Sequence, residues 1–219
     1  MFSLKDFFLR LTGSAPGRTS QAAAAFEPAD LSADWLVVGL GNPGPKYAAT
    51  RHNVGYMAVD DLLAADGDVL APVRGIPAEV AVLSVEGQRV LVARSTTFMN
   101  LSGQAAGPLA EALGVPAEKV VAIHDELDLP AGTVRVKLGG NENGHNGLKS
   151  MTEQLGTRDY LRVRIGISRP PKGMRVPDYV LGPVDGGEDF DAAIATAAEA
   201  ARLLVSDGLS VAQNKIHSR

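Results

Sequence analysis

The run Trp35-Leu-Val-Val-Gly-Leu40, followed at once by Gly41-Asn-Pro-Gly-Pro45, constrains the fold of this 219-residue chain more than any other segment. An almost continuous apolar run bounded by glycine describes a strand buried on both faces, and such strands lie in the middle of sheets covered by helices. Pro43 and Pro45 then keep a helix from starting at the glycines, and helical periodicity resumes only near His52. Asn42 and His52 are thereby delivered to the end of a central strand. An imidazole there has chemical use, since its unperturbed pKa of ~6.5 permits proton transfer near neutral pH. From this stretch alone, His52 reads equally well as a core or helix-capping histidine.

The remaining pattern alternates strands with helices. Residues 52 to 65 place Val54, Met57, Ala58, Leu62 and Ala65 at helical spacing. Residues 78–87 and 88–95 are strand-like runs meeting at Glu86-Gly87, which predicts a hairpin and therefore a mixed sheet. Ser102 stands where a helix cap belongs, with Gly114 and Pro116 ending that helix after Leu113. Val120 to Asp125 is a second buried strand. Residues 133–138 and 160–168 are strands alternating apolar with basic residues, separated by a helix over Leu148 to Leu155. A long amphipathic helix from Gly186 to Gly208 follows. The fold class is α/β, a single three-layer α/β/α domain with a mixed sheet over residues 34–219. Residues 1–33 read as a flexible N-terminal extension whose first turns pack on the domain or on a partner.

Charge and composition narrow the function. Zero cysteines remove disulfides and thiol nucleophiles, and four scattered histidines leave few ligands for zinc. No run approaches the ~20 apolar residues of a membrane span. Asp6 and Arg10 interrupt the first apolar residues, so a secretory signal is not expected, and Asp6, Glu27 and Asp30 fit poorly with a transit peptide. Between Thr133 and Arg175 stand nine Lys or Arg against three acids, a local +6 in a chain of net charge −4. A polyanion bound at one place is one reading, and solvated strand and loop charge is the other.

Gly39-Leu-Gly-Asn-Pro-Gly44 matches the dinucleotide fingerprint, but the late helix start denies a pyrophosphate its helix N-terminus, and Asp60 and Asp61 lie inside the helix instead of ending a second strand. Asp125 ends a buried strand, the edge at which α/β sheets collect ligands. A carboxylate there can hold the tautomer of an imidazole and stabilise its protonated form. Glu126 and Asp128 offer a metal reading of His124-Asp-Glu-Leu-Asp128, without a second cluster to complete a shell. Asn42, Asn100 and Asn146 each stand in loops of glycine or small residues, where turn chemistry explains each singly and an uncharged grip on a carbonyl or peptide explains them together. Ser102 lacks a nucleophile elbow, which leaves a histidine-activated water as the simpler mechanism.

Five segments in this order, GLGNPGPKYAATRHNVGY, TTFMNLSG, HDELDLPAG, KLGGNENGHNGLK and YLRVRIGISRP, resemble the bacterial peptidyl-tRNA hydrolases over Leu36 to the C-terminus. The resemblance implies a mixed twisted sheet of the phosphorylase/hydrolase-like kind and hydrolysis of the ester between peptide and tRNA. It implies His52 as proton acceptor, Asp125 as its support and Asn42 as the amide recognising the blocked aminoacyl end. Tyr47, Phe98, Asn100 and Asn146 would contact substrate, with Met99 lining the cleft. Arg135, Lys137, Lys149 and Arg164, with Arg162 beside them, would hold tRNA phosphates. No cofactor and no metal are implied, and the expected partner is peptidyl-tRNA, met by a cytoplasmic monomer whose final helix covers the cleft edge. The rival reading is a non-catalytic RNA- or protein-binding module on the same scaffold. Glu142 and Asn143 depart from the family pattern, which commonly has glycine and histidine there.

Overall fold

A computed structural model describes residues 25–219. Seven strands form one sheet: β1 (Trp35–Gly39), β2 (Ala71–Val73), β3 (Ile76–Val85), β4 (Gln88–Ser95), β5 (Val120–Glu126), β6 (Val134–Leu138) and β7 (Leu161–Gly166). Their spatial order is β2-β3-β4-β1-β5-β7-β6, so β1 is the middle strand. It pairs in parallel with β4 and β5, while β3 and β6 run antiparallel to their neighbours. The mixed sheet follows from the hairpin, whose turn residues Glu86 and Gly87 both adopt positive φ, at 47° and 81°, the geometry that matches strand twist in two-residue hairpins.

The helices are α1 (Val54–Ala64), α2 (Gly103–Leu113), α3 (Asn146–Leu155), the short α4 (Val176–Val180), α5 (Glu188–Ser206) and α6 (Gly208–His217). On β1, Val37 faces the cluster built with α1, α5 and α6, whereas Leu36 and Val38 face the cluster built with α2 and α3. Both faces are covered, which is the three-layer arrangement.

Three elements differ from expectation. β2 carries Pro72, and proline is tolerated there because β2 is an edge strand. Gly208, read as a helix end, turns with φ 79° and begins α6. That helix closes the other sheet edge: His217 Nε2 accepts from Val136 N–H at 3.0 Å, and Gln213 Nε2 donates to Val136 O at 3.2 Å. Ser102 occupies the cap position of α2, but its hydroxyl donates back to Met99 O, and Gly103 N–H donates to Ser150 Oγ instead.

The expected extension over 1–33 falls largely on residues 1–24, which lie outside the described residues. Residues 25–33 lie on the domain. Phe26 N–H donates to Pro72 O at 2.8 Å and Phe26 O accepts from Arg74 N–H at 2.9 Å, extending the β2 edge, and Leu31 is buried.

Topology places the functional loops. From β1 the sheet grows to β4 on one side and to β5 on the other, so a crevice opens beyond the carboxyl ends of β1 and β5. Asn42 follows β1 and Asp125 is the next-to-last residue of β5. Helix α1 is held against that crevice by Gly55, where a Cβ would sit 2.3 Å from Ile123 O and 2.6 Å from Leu40 N. Only glycine allows this approach, and the approach brings His52 beside Asp125.

Candidate active site

Asn42, His52, Met99, Asn100, Asp125 and Asn146 line one cleft of about 750 Å³. Asp125 is 3% exposed, and its Oδ1 lies 2.8 Å from His52 Nδ1 and 3.0 Å from His145 Nε2. The protons on these rings follow from their other partners. His145 caps α3, its Nδ1 accepting from the backbone N–H groups of Gly147 and Leu148 at 3.1 and 3.3 Å. Nδ1 is therefore a bare acceptor, and the proton on Nε2 is donated to Asp125. An ionised carboxylate can only accept, so His52 also presents an N–H to it through Nδ1. In the neutral form of His52 this tautomer leaves the lone pair on Nε2.

Burial alone would raise the Asp125 carboxyl, but His52 and His145, through their charge when protonated and through their N–H bonds, hold it well below the usual carboxylate range. The pair of histidines thus keeps a buried anion at the end of a strand. His52 Nδ1, Asp125 and His145 Nε2 lie within 4.8 Å of one another, as metal ligands do. A metal on His145 Nε2 would force the ring proton onto Nδ1, against two backbone donors. Hydrogen bonding is the better account of the cluster.

His124 sits behind this group. It is 1% exposed, its Nδ1–H donates to Asp125 O at 2.6 Å, and its ring meets His145 edge-on at 5.1 Å between centroids. Burial, then the neighbouring His145, pushes it well below the ordinary imidazole value. Below about pH 6.5 the unfolded chain takes up a proton on His124 that the folded chain refuses, so stability is lost as pH falls. Urea unfolding between pH 6.5 and 5.5 will show His124→Gln losing less stability than the parent, by up to about 1 kcal/mol over that interval.

Asn42 is held by a ring of amides. Its N–H donates to Asn53 Oδ1 and its carbonyl accepts from Asn53 Nδ2, both at 2.9 Å, while Asn42 Oδ1 accepts from Met99 N–H at 2.8 Å. With its oxygen engaged, the amide NH2 is the end left to donate to a substrate carbonyl. Tyr47 and Phe98 form an edge-to-face pair at 6.2 Å, with Phe98 54% exposed.

The basic residues divide. Arg135 and Lys137 on β6 pair in register with Arg164 and Arg162 on β7, and Lys149 is exposed on the first turn of α3. Arg164 lies 3.9 Å from Glu126. Partial burial and repulsion from Arg164 and Arg162 push the Lys137 ammonium down, as expected of a cation among cations that awaits an anion. Arg162 does not share this role. It is fully buried and donates to Gly140 O and Asn141 O at 2.9 and 2.8 Å, so its alternation in the sequence marks a buried strap for the glycine-rich loop, not a phosphate contact. Sequence reasoning also missed His145, Asn53 and α4. GHNG before a helix could have signalled a histidine cap, but its reach to Asp125 crosses twenty residues of chain. Val176 and Leu181, from α4 and its end, line the cleft edge that had been assigned to the final helix.

A buried carboxylate hydrogen-bonded to an imidazole, with both residues lining one cleft beside a fixed amide on an α/β scaffold, is an arrangement suited to general-base chemistry. The chain belongs to the peptidyl-tRNA hydrolase family, whose sequence model matches residues 36–219. It is similar to a Corynebacterium glutamicum protein named peptidyl-tRNA hydrolase 2, with 62% identity over 200 residues, 91% of this chain and 95% of that protein. It is 48% identical to a Mycobacteroides abscessus peptidyl-tRNA hydrolase, over 84% of this chain and 94% of the relative. The crystal structure of the Acinetobacter baumannii peptidyl-tRNA hydrolase superposes with a TM-score of 0.76 at 35% identity, covering 83% of this chain and 93% of that one.

Proposed function

We propose that this chain, a peptidyl-tRNA hydrolase by family, cleaves the ester of peptidyl-tRNA with a water deprotonated by His52 Nε2. The observation that carries the mechanism is the relay of hydrogen bonds from the α3 N-terminus through His145 to Asp125 and His52, because it sets the neutral tautomer with the lone pair on Nε2 of a histidine that lines the cleft. The water attacks the ester carbonyl carbon. Asn42 donates its amide N–H to the carbonyl end of the substrate, and Asp125 stabilises the imidazolium while the proton waits there. That proton then goes to the departing ribose oxygen, which leaves as the hydroxyl of free tRNA.

Asn100 and Asn146 offer uncharged hydrogen bonds to the peptide main chain, with Met99 as an apolar wall and the Tyr47–Phe98 pair as an apolar surface for more of the substrate. Arg135, Lys137, Lys149 and Arg164 take backbone phosphates, which position an RNA without reading its sequence. No described helix is long and apolar enough to cross a membrane. In this reading the protein acts as a monomer in the cytoplasm, with residues 34–219 as the catalytic domain. The direct assay is release of peptide from purified peptidyl-tRNA, with free aminoacyl-tRNA as the control that should stay uncut. Lys137→Ala weakens tRNA binding and lowers the slope of log affinity against log salt by about one. A salt titration by filter binding checks this, and an unchanged slope would remove Lys137 from the phosphate contacts.

A further inference from the structure

The glycine-rich loop between β6 and α3 carries His145 and Asn146, yet Gly139, Gly140, Asn143 and Gly144 in it all take positive φ. Such a loop does not hold an imidazole in place by its own backbone preference. Glu142 stands in the middle of it, 6% exposed, on the wall of the cleft. Its Oε1 accepts from Thr152 Oγ1 on α3 at 2.9 Å and from Arg158 Nε at 2.7 Å, beyond the end of that helix. Its carbonyl accepts from His145 N–H at 2.8 Å. Arg158 is exposed on its outer side, and its guanidinium, first among the causes, holds the Glu142 carboxyl down to about 2. The ion pair therefore persists throughout the working range.

We propose that Glu142 and Arg158 form a clamp that positions His145 against Asp125, so that Glu142 acts on the reaction through His145 without touching substrate. The carboxylate ties the loop to α3 and to the turn after it, while Arg162 ties the preceding carbonyls to β7. His145 leaves the clamped segment at Glu142 O and enters the helix cap at Gly147. With both ends fixed, its Nε2–H meets Asp125. A mobile segment would leave Asp125 with His52 as its only donor and blur the geometry of the base. Family members with other residues at this place would need another brace for the loop.

The inference rests on the His52 mechanism proposed above, and the test separates the two. Arg158→Ala removes an exposed side chain and folds. It and Glu142→Ala each lower kcat about 10-fold with KM for peptidyl-tRNA within twofold. The double variant falls no further than either single one, because both remove the same clamp. Arg158→Lys, which keeps a cation near Glu142, recovers part of the loss. A kcat within twofold of the parent in both single variants overturns the clamp, as do additive losses or a rise in KM that matches the fall in kcat. His52→Ala run alongside reports on the base itself: if it is inactive while the clamp variants are normal, only the clamp is wrong.

Discussion

His52→Ala lowers kcat by about 10²–10⁴-fold, the usual worth of a positioned general base, while tRNA affinity stays close to that of the parent. The separation is expected because His52 offers the cleft one nitrogen, whereas the proposed phosphate contacts lie on β6, β7 and α3. Single-turnover cleavage and tRNA binding, measured on the same preparation with the thermal midpoint as a folding control, decide it. Unchanged turnover would remove His52 from the mechanism. A parallel loss of tRNA binding would mean that the imidazole serves the cleft's shape.

Asp125→Asn is expected to cost nearly as much as loss of the base it supports, about 10³-fold or more in kcat, by analogy with the neutralised carboxylate of serine-protease triads. Two imidazole N–H groups converge on Asp125 Oδ1. The amide that replaces the carboxylate can present its own N–H to His52, and His52 then keeps its proton on Nε2, with no lone pair for water. Even when the tautomer survives, the imidazolium has lost its counter-charge. Because the Asp125 carboxyl is held low in the folded chain, its contribution to stability is present above about pH 4 and is lost as pH falls further. The Asn variant should lack this acid loss, which chemical unfolding at pH 6 and below pH 4 will show. A near-normal kcat would mean that His145 and the α3 cap orient His52 without a charge.

The fold was legible where pattern and chain punctuation agreed. The apolar run at Trp35, the Glu86-Gly87 turn and the helix stop at Gly114 each express a local backbone preference, and each appears as read. Gly208 shows the limit of that method, since a left-handed glycine ends one helix and permits the next equally well. Arg162 shows another. Alternation along β7 puts it on the same face as Arg164, but whether that face meets water or a covering loop depends on residues 139–141, which are distant in the chain. His145 was missed altogether: GHNG before a helix could have marked it as a cap, but nothing local points to Asp125 as its partner.

From the residues alone came a central strand, a proline-broken turn that bars a nucleotide loop, and Asn42, His52 and Asp125 at the ends of elements. Their order in the chain carried the family resemblance as well. The tertiary structure alone decided which nitrogen of His52 is free, that Asp125 serves two histidines, and that Glu142 and Arg162 brace the loop between them. The division has a physical cause. Strand and turn formation depend on neighbours within a few residues, whereas proton placement depends on which buried acceptor each donor meets, and only packing brings those atoms within 3 Å.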